Sequence, residues 1–182
     1  MKKSTWILKQ MGWEIWSDVP QIKKAVLIVA PHTSLWDFII GRIAFWHLGY
    51  DIKLLIKKEA FFWPFGLWLR KLGGMPVNRQ KNTRMVETVA NMFTEHKELI
   101  IVITPEGTRT RVDKWKMGFY HIARIANVPV AIGWMDYKNK QGGIKKLFNV
   151  TGAIEKDMAE IQSFYKGLHG KHPERSTTIP LE

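Results

Sequence analysis

His32 and Asp37 stand five residues apart in the stretch APHTSLWD (30–37). An imidazole whose Nδ1–H is held by a carboxylate keeps its Nε2 free to take a proton, so this pair has the composition of a general base with its orienting partner. Two residues five apart inside one helix point about 140° away from each other, and the pair can meet only if His32 lies in the loop before a helix and Asp37 in its first turn. Ser34 is a good helix cap, and Asp37 could complete a variant capping box instead of doing chemistry. With six histidines and six aspartates in the chain, the spacing alone arises in roughly one shuffled sequence in five. Other segments have to add weight. TPEGTRTR (104–111) supplies a carboxylate, Glu106, a glycine where the backbone turns or meets a ligand, Gly107, and two arginines suited to gripping phosphate, Arg109 and Arg111. GGMPVNR (73–79) ends on a further cation, Arg79.

The elements that must position these groups follow from apolar spacing. Short aliphatic runs at Ala25–Ala30, Ile52–Ile56, Leu99–Ile103 and Pro129–Trp134 read as strands, the first and third apolar enough to be buried on both faces. Helical patterns fall at Leu35–Leu48, Pro64–Leu72, Asn82–Glu95 and Phe119–Ala126, with a last helix near Glu155–Leu168 and a loose polar tail beyond it. A first helix is expected over Thr5–Trp16, its Trp6, Trp13 and Trp16 serving either a membrane interface or the core. Strands alternating with helices imply an α/β layered fold with a largely parallel or mixed sheet flanked by helices. In such sheets ligands gather beyond the carboxyl ends of the strands, where helix amino-termini point their N–H groups. Both the His32 and the Glu106 segments follow a buried strand, so the fold rule sends them to one face.

The chain of 182 residues suits a single domain. It divides into an amphipathic N-terminal helix region (1–24), a motif-bearing core (25–135), and a C-terminal strand, helix and polar tail (136–182). There is no cysteine, which excludes disulfides, thiolate metal sites and a cysteine nucleophile. No run reaches the roughly 18 apolar residues of a membrane-spanning helix. The net charge of +12 favours an anionic partner. Between Lys53 and Arg84 eight basic residues and one acid flank the apolar insert AFFWPFGLWL (60–69). That arrangement suits a phospholipid surface better than a nucleic-acid groove, so no nucleic acid is expected; an ordinary core segment is the alternative.

The three motifs, in this order and spacing, resemble those of the glycerolipid acyltransferases typified by lysophosphatidic acid acyltransferase. His32 and Asp37 match the first motif, GGMPVNR is similar to the second, and PEGTRTR to the third. NVPVAIG (127–133) resembles the fourth, with Ile132 where a second proline is usual, and Pro31 stands where an asparagine often precedes the histidine. The resemblance covers roughly residues 25–135 and implies a glycerol-3-phosphate acyltransferase-like fold. It further implies transfer of a fatty acyl group from acyl-CoA or acyl carrier protein to the hydroxyl of a lysophospholipid, most simply lysophosphatidic acid. His32 and Asp37 would be catalytic, and Arg79, Glu106, Gly107, Thr108 and Arg109 would bind the acceptor. Neither a cofactor nor a metal is expected. Backbone N–H groups at the start of the Leu35 helix are candidate oxyanion donors. The expected location is cytoplasmic, peripherally attached to the inner face of the membrane. Acylation of another lyso-lipid, such as a lyso-aminolipid, and a non-catalytic basic membrane- or nucleic-acid-binding protein are the rival readings. A serine hydrolase lacks support, because there is no Gly-x-Ser-x-Gly elbow.

Overall fold

A computed structural model describes residues 3–77 and 82–177. Its elements run α1 (Lys3–Gln10), β1 (Glu14–Ser17), β2 (Lys24–Ala30), α2 (Trp36–Leu48), β3 (Ile52–Lys57), α3 (Phe65–Lys71), β4 (Gly74–Val77), α4 (Asn82–Glu95), β5 (Leu99–Ile103), α5 (Gly118–Ala126), β6 (Val130–Asp136), β7 (Gln141–Phe148) and α6 (Ile154–Ser163). The strands form one mixed sheet in the order β1-β7-β6-β2-β5-β3-β4. Among the described residues only the β6–β7 pairing is antiparallel.

The sheet is central because its middle strands have no polar face. Ala25, Val26, Leu27 and Ile28 of β2 are all fully buried, as expected of a parallel strand covered on both sides. On one side Leu27, Ile52, Ile100 and Val102 pack with Phe45 of α2. On the other, Val26, Ile28 and Ile101 pack with Phe93 of α4 and with Phe119 and Ile122 of α5. Each such fully buried side chain contributes about 1.5–3 kcal/mol of transfer free energy. Parallel pairing also puts the carboxyl ends of β2, β3, β5 and β6 at one end of the sheet. Those ends carry the loops that hold His32 and Glu106.

Two expectations are corrected here. The helix expected over Thr5–Trp16 stops at Gln10, and residues 14–17 form β1, the edge strand beside β7. Gly12, at φ 74°, turns the chain out of the helix. Trp13 is then buried, with its ring edge-on to Tyr137 at 5.0 Å, and does not face an interface. The tail beyond the last helix is also not loose. Residues 169–177 return to the loops at the carboxyl ends of β2 and β5, where His172 N–H donates to Thr33 Oγ1 at 3.2 Å and the Arg111 guanidinium donates to the Ser176 carbonyl at 2.6 Å.

Candidate active site

The dyad forms because β2 ends just before His32 and α2 begins just after it. Asp37 sits in the first turn of α2, is nearly buried, and accepts four hydrogen bonds. His32 Nδ1 lies 3.1 Å from its Oδ2. The backbone N–H groups of Thr33 and Ser34 donate to the same oxygen at 2.8 and 2.9 Å. Tyr137 O–H donates to Oδ1 at 2.6 Å. Burial alone would raise the pKa of Asp37, but the bonds from His32, Tyr137, Ser34 and Thr33 outweigh it and hold the carboxyl below its usual value. An ionised carboxylate only accepts, so Nδ1 carries the proton and Nε2 is left as the basic nitrogen. The capping and the chemical readings of Asp37 therefore coexist: one carboxylate ties back the loop and orients the ring.

Those bonds have a second consequence. The amides of Thr33 and Ser34 serve Asp37, and the Trp36 amide donates to Ser34 Oγ at 3.2 Å. These three N–H groups at the start of α2 are thus engaged within the protein.

Glu106 follows β5 and is almost completely buried. Its Oε2 accepts the His32 backbone N–H at 2.7 Å, and its Oε1 accepts the Thr177 hydroxyl at 2.6 Å. Burial pushes its pKa up, against the opposing effect of those two bonds. Both oxygens thus clamp the His32 loop to the returning C-terminal segment. Gly107 lies at φ 67°, a left-handed backbone conformation that favours glycine, with the flexible end of the Lys116 side chain packed over it. Thr108 Oγ1 pairs with Thr110 Oγ1 at 3.1 Å. Arg111 is engaged with the Ser176 carbonyl. Arg79, expected to bind the acceptor, lies outside the described residues.

A cavity of about 540 Å³ opens beside the dyad. Pairing of β3 with β5 ends at Leu54–Val102, and the cavity is lined from both sides of the sheet around that parting. Val29, Phe38, Phe45, Ile52 and Leu54 line it on the α2 side; Leu55, Met85, Phe119 and Ile122 line it on the α5 side. His32, Asp37, Arg42, Thr104, Arg109 and Lys116 are the polar or charged members of the same lining. An orienting carboxylate, a basic nitrogen, three cations and an apolar recess make a place where an anionic group and a hydrocarbon chain can be held around one proton transfer. Among the described residues no cluster of three His, Asp or Glu side chains suits a metal ion. Lys116, Tyr137 and Thr177 were not singled out from the sequence, where each lies in a segment without a motif; Tyr137 is 100 residues from its partner Asp37.

Solved structures share this architecture. The chain superimposes on the 1-acyl-sn-glycerophosphate (LPA) acyltransferase PlsC of Thermotoga maritima with a TM-score of 0.62 and 17% identity, covering 90% of this chain and 73% of that one. At that identity the likeness establishes the fold. No curated protein matches the chain significantly. The model of the Acyltransferase family matches residues 14–133, well over half the chain and the whole stretch from β1 to the middle of β6. The dyad, the Glu106 loop and most of the cavity lining fall inside that match, and the chain belongs to the Acyltransferase family.

Proposed function

We propose that the protein transfers a fatty acyl group from a thioester, coenzyme A or acyl carrier protein, to the free hydroxyl of a lysophospholipid, with lysophosphatidic acid the simplest acceptor. The observation that carries this reading is the position of the His32–Asp37 pair at a cavity whose lining carries the cations Arg42, Arg109 and Lys116 and is otherwise mostly apolar. His32 Nε2 takes the proton of the acceptor hydroxyl as its oxygen attacks the thioester carbonyl. The new C–O ester bond forms, the C–S bond breaks, and the proton passes from the imidazolium to the departing thiolate. Asp37 stabilises the imidazolium while it lasts. Arg109, with Arg79 as a second cation, holds the acceptor phosphate and so places its hydroxyl; Gly107 and Thr108 shape the loop around it. Glu106 contributes by fixing the peptide of His32.

A lysolipid acceptor resides in a bilayer, and no helix among the described residues is long and apolar enough to cross one. We therefore place the reaction at the surface of an anionic membrane leaflet on the cytoplasmic side, where each nearby Lys or Arg contributes about 1 kcal/mol of attraction. The test is acyl transfer to lysophosphatidic acid, followed by thiol release. His32→Ala should lose about 10² to 10⁴ in rate and Asp37→Asn should also fall sharply, both with wild-type folding. Undiminished transfer by either variant would remove that residue from the mechanism.

A further inference from the structure

Among the described residues, the segment after β3 carries the densest run of exposed large apolar side chains. Phe62, Trp63, Phe65, Leu67 and Trp68 are all more than half exposed, Trp63 at 83%. They are displayed by a fixed turn. Gly66 is buried with its N–H donating to the Phe62 carbonyl at 2.7 Å, and an added β-carbon there would fall 2.6 Å from the Phe61 carbonyl oxygen. The Phe62 and Phe65 rings lie 5.3 Å apart. Around the base stand exposed Lys58, Arg70 and Lys71, with the Arg70 guanidinium 5.4 Å from the Phe61 ring. Soluble surfaces rarely carry so continuous an apolar patch without a partner.

We propose that residues 61–68 form a knob that inserts into the interfacial layer of an anionic bilayer, bringing the mouth of the cavity against the lipid surface. Tryptophan and phenylalanine flanked by Lys and Arg is the composition of a headgroup-level anchor, with rings among the acyl boundary and cations among the phosphates. The charge on the page selects this occupant. A second copy would bring two basic rims and two chains of net charge +12 together, which repel. The knob is also rooted in the cavity wall, because Leu54, Leu55 and Ile56 of β3 line the cavity immediately before the chain turns into it. Leu35, on the same cavity lining, is itself 67% exposed. The docking rests on the lysolipid reading above only for what passes from the bilayer into the cavity.

The chain has no cysteine, so a single introduced thiol gives one reporter. Trp63→Cys carrying a polarity-sensitive fluorophore should shift to the blue with phosphatidylglycerol vesicles and much less with pure phosphatidylcholine, and the response should weaken with salt. Glu155→Cys, exposed at the start of α6 on the opposite end of the sheet, should not respond. In sedimentation with the same vesicles the Trp63→Ser/Trp68→Ser double variant should bind roughly tenfold more weakly. Its rate should fall further with vesicle-borne acceptor than with a monomeric short-chain acceptor. No shift at position 63, an equal shift at 155, wild-type vesicle binding by the double variant, or a response only to an acidic protein would each overturn the proposal. If the wild type transfers acyl groups to no acceptor but position 63 still enters vesicles, the proposed reaction fails and the docking surface stands.

Discussion

Replacing Glu106 with alanine deletes the acceptor for two donors at once, the His32 backbone N–H at 2.7 Å and the Thr177 hydroxyl at 2.6 Å. Each donor left without a partner away from water costs about 1–3 kcal/mol. Removing a desolvated carboxylate returns part of that, so we expect Glu106→Ala to be destabilised by about 2–3 kcal/mol. Because the peptide of His32 loses its tether, the rate should drop by about 10² or more through misplacement of the base. Glu106→Gln separates clamping from charge. Its amide oxygen can still accept from His32 N–H, and its amide nitrogen can donate to Thr177 Oγ1, so most of the rate should survive. The pH dependence carries a definite sign. Folding raises the Glu106 pKa above the usual 4.5, so the folded state favours the proton. That contribution is complete below 4.5 and is lost as pH rises through the folded value. The stability of the wild type relative to Glu106→Gln should therefore decline with rising pH across that window and then level off. Chemical denaturation at a series of pH values, with single-turnover rates beside it, reads all three quantities. A Glu106→Ala protein within about 0.5 kcal/mol of wild type and fully active would refute the clamp.

Tyr137→Phe removes the sole hydrogen bond that Asp37 Oδ1 receives among the described residues, and should cost about 1–2 kcal/mol at neutral pH. Asp37 has a depressed folded pKa, so this difference is present above 3.8 and should shrink as pH falls through the folded value; a difference that persists in acid would show that ring packing, not the charged hydrogen bond, is responsible. Arg42 lines the cavity from α2 with its Nε buried and unbonded, Nη1 3.4 Å from the Ile52 carbonyl, and the guanidinium 4.7 Å from the Trp46 ring. Arg42→Met should melt within about 1 kcal/mol of wild type or above it, and should move donor preference toward longer plain acyl chains in a thioester panel. A loss above about 3 kcal/mol would show that the guanidinium holds Ile52 and Asp51 in place.

The parts of the site that could be read from the sequence are those encoded locally. β2 and β5 are unbroken aliphatic runs, each followed at once by its chemical residues, so the strand-end rule placed His32 and Glu106 together without any long-range information. The geometry that completes the site is not local. Tyr137 reaches Asp37 across 100 residues and Thr177 reaches Glu106 across 71, and nothing in the composition around either signals the contact. Glu106 was expected on the acceptor, whereas its buried oxygens both bind within the protein. β1 escaped because it is only four residues long and Trp6, Trp13 and Trp16 sit at spacings that mimic a helical face; Gly12 was the available signal that the helix ends. Trp13 is buried edge-on to Tyr137, a partner distant in sequence, so the local pattern could not choose between interface and core for that indole.

The pairing of β1 with β7 carries a consequence for how the polypeptide reaches this shape during its synthesis. Glu14 leaves the ribosome 127 residues before Gln141, its register partner in the strand that β1 bonds. Until then β1 has no ladder partner, and contacts this far apart in sequence form slowly. An exposed strand with Ile15 and Trp16 waiting for its neighbour is a site at which a chaperone, or a second unfinished chain, can bind first.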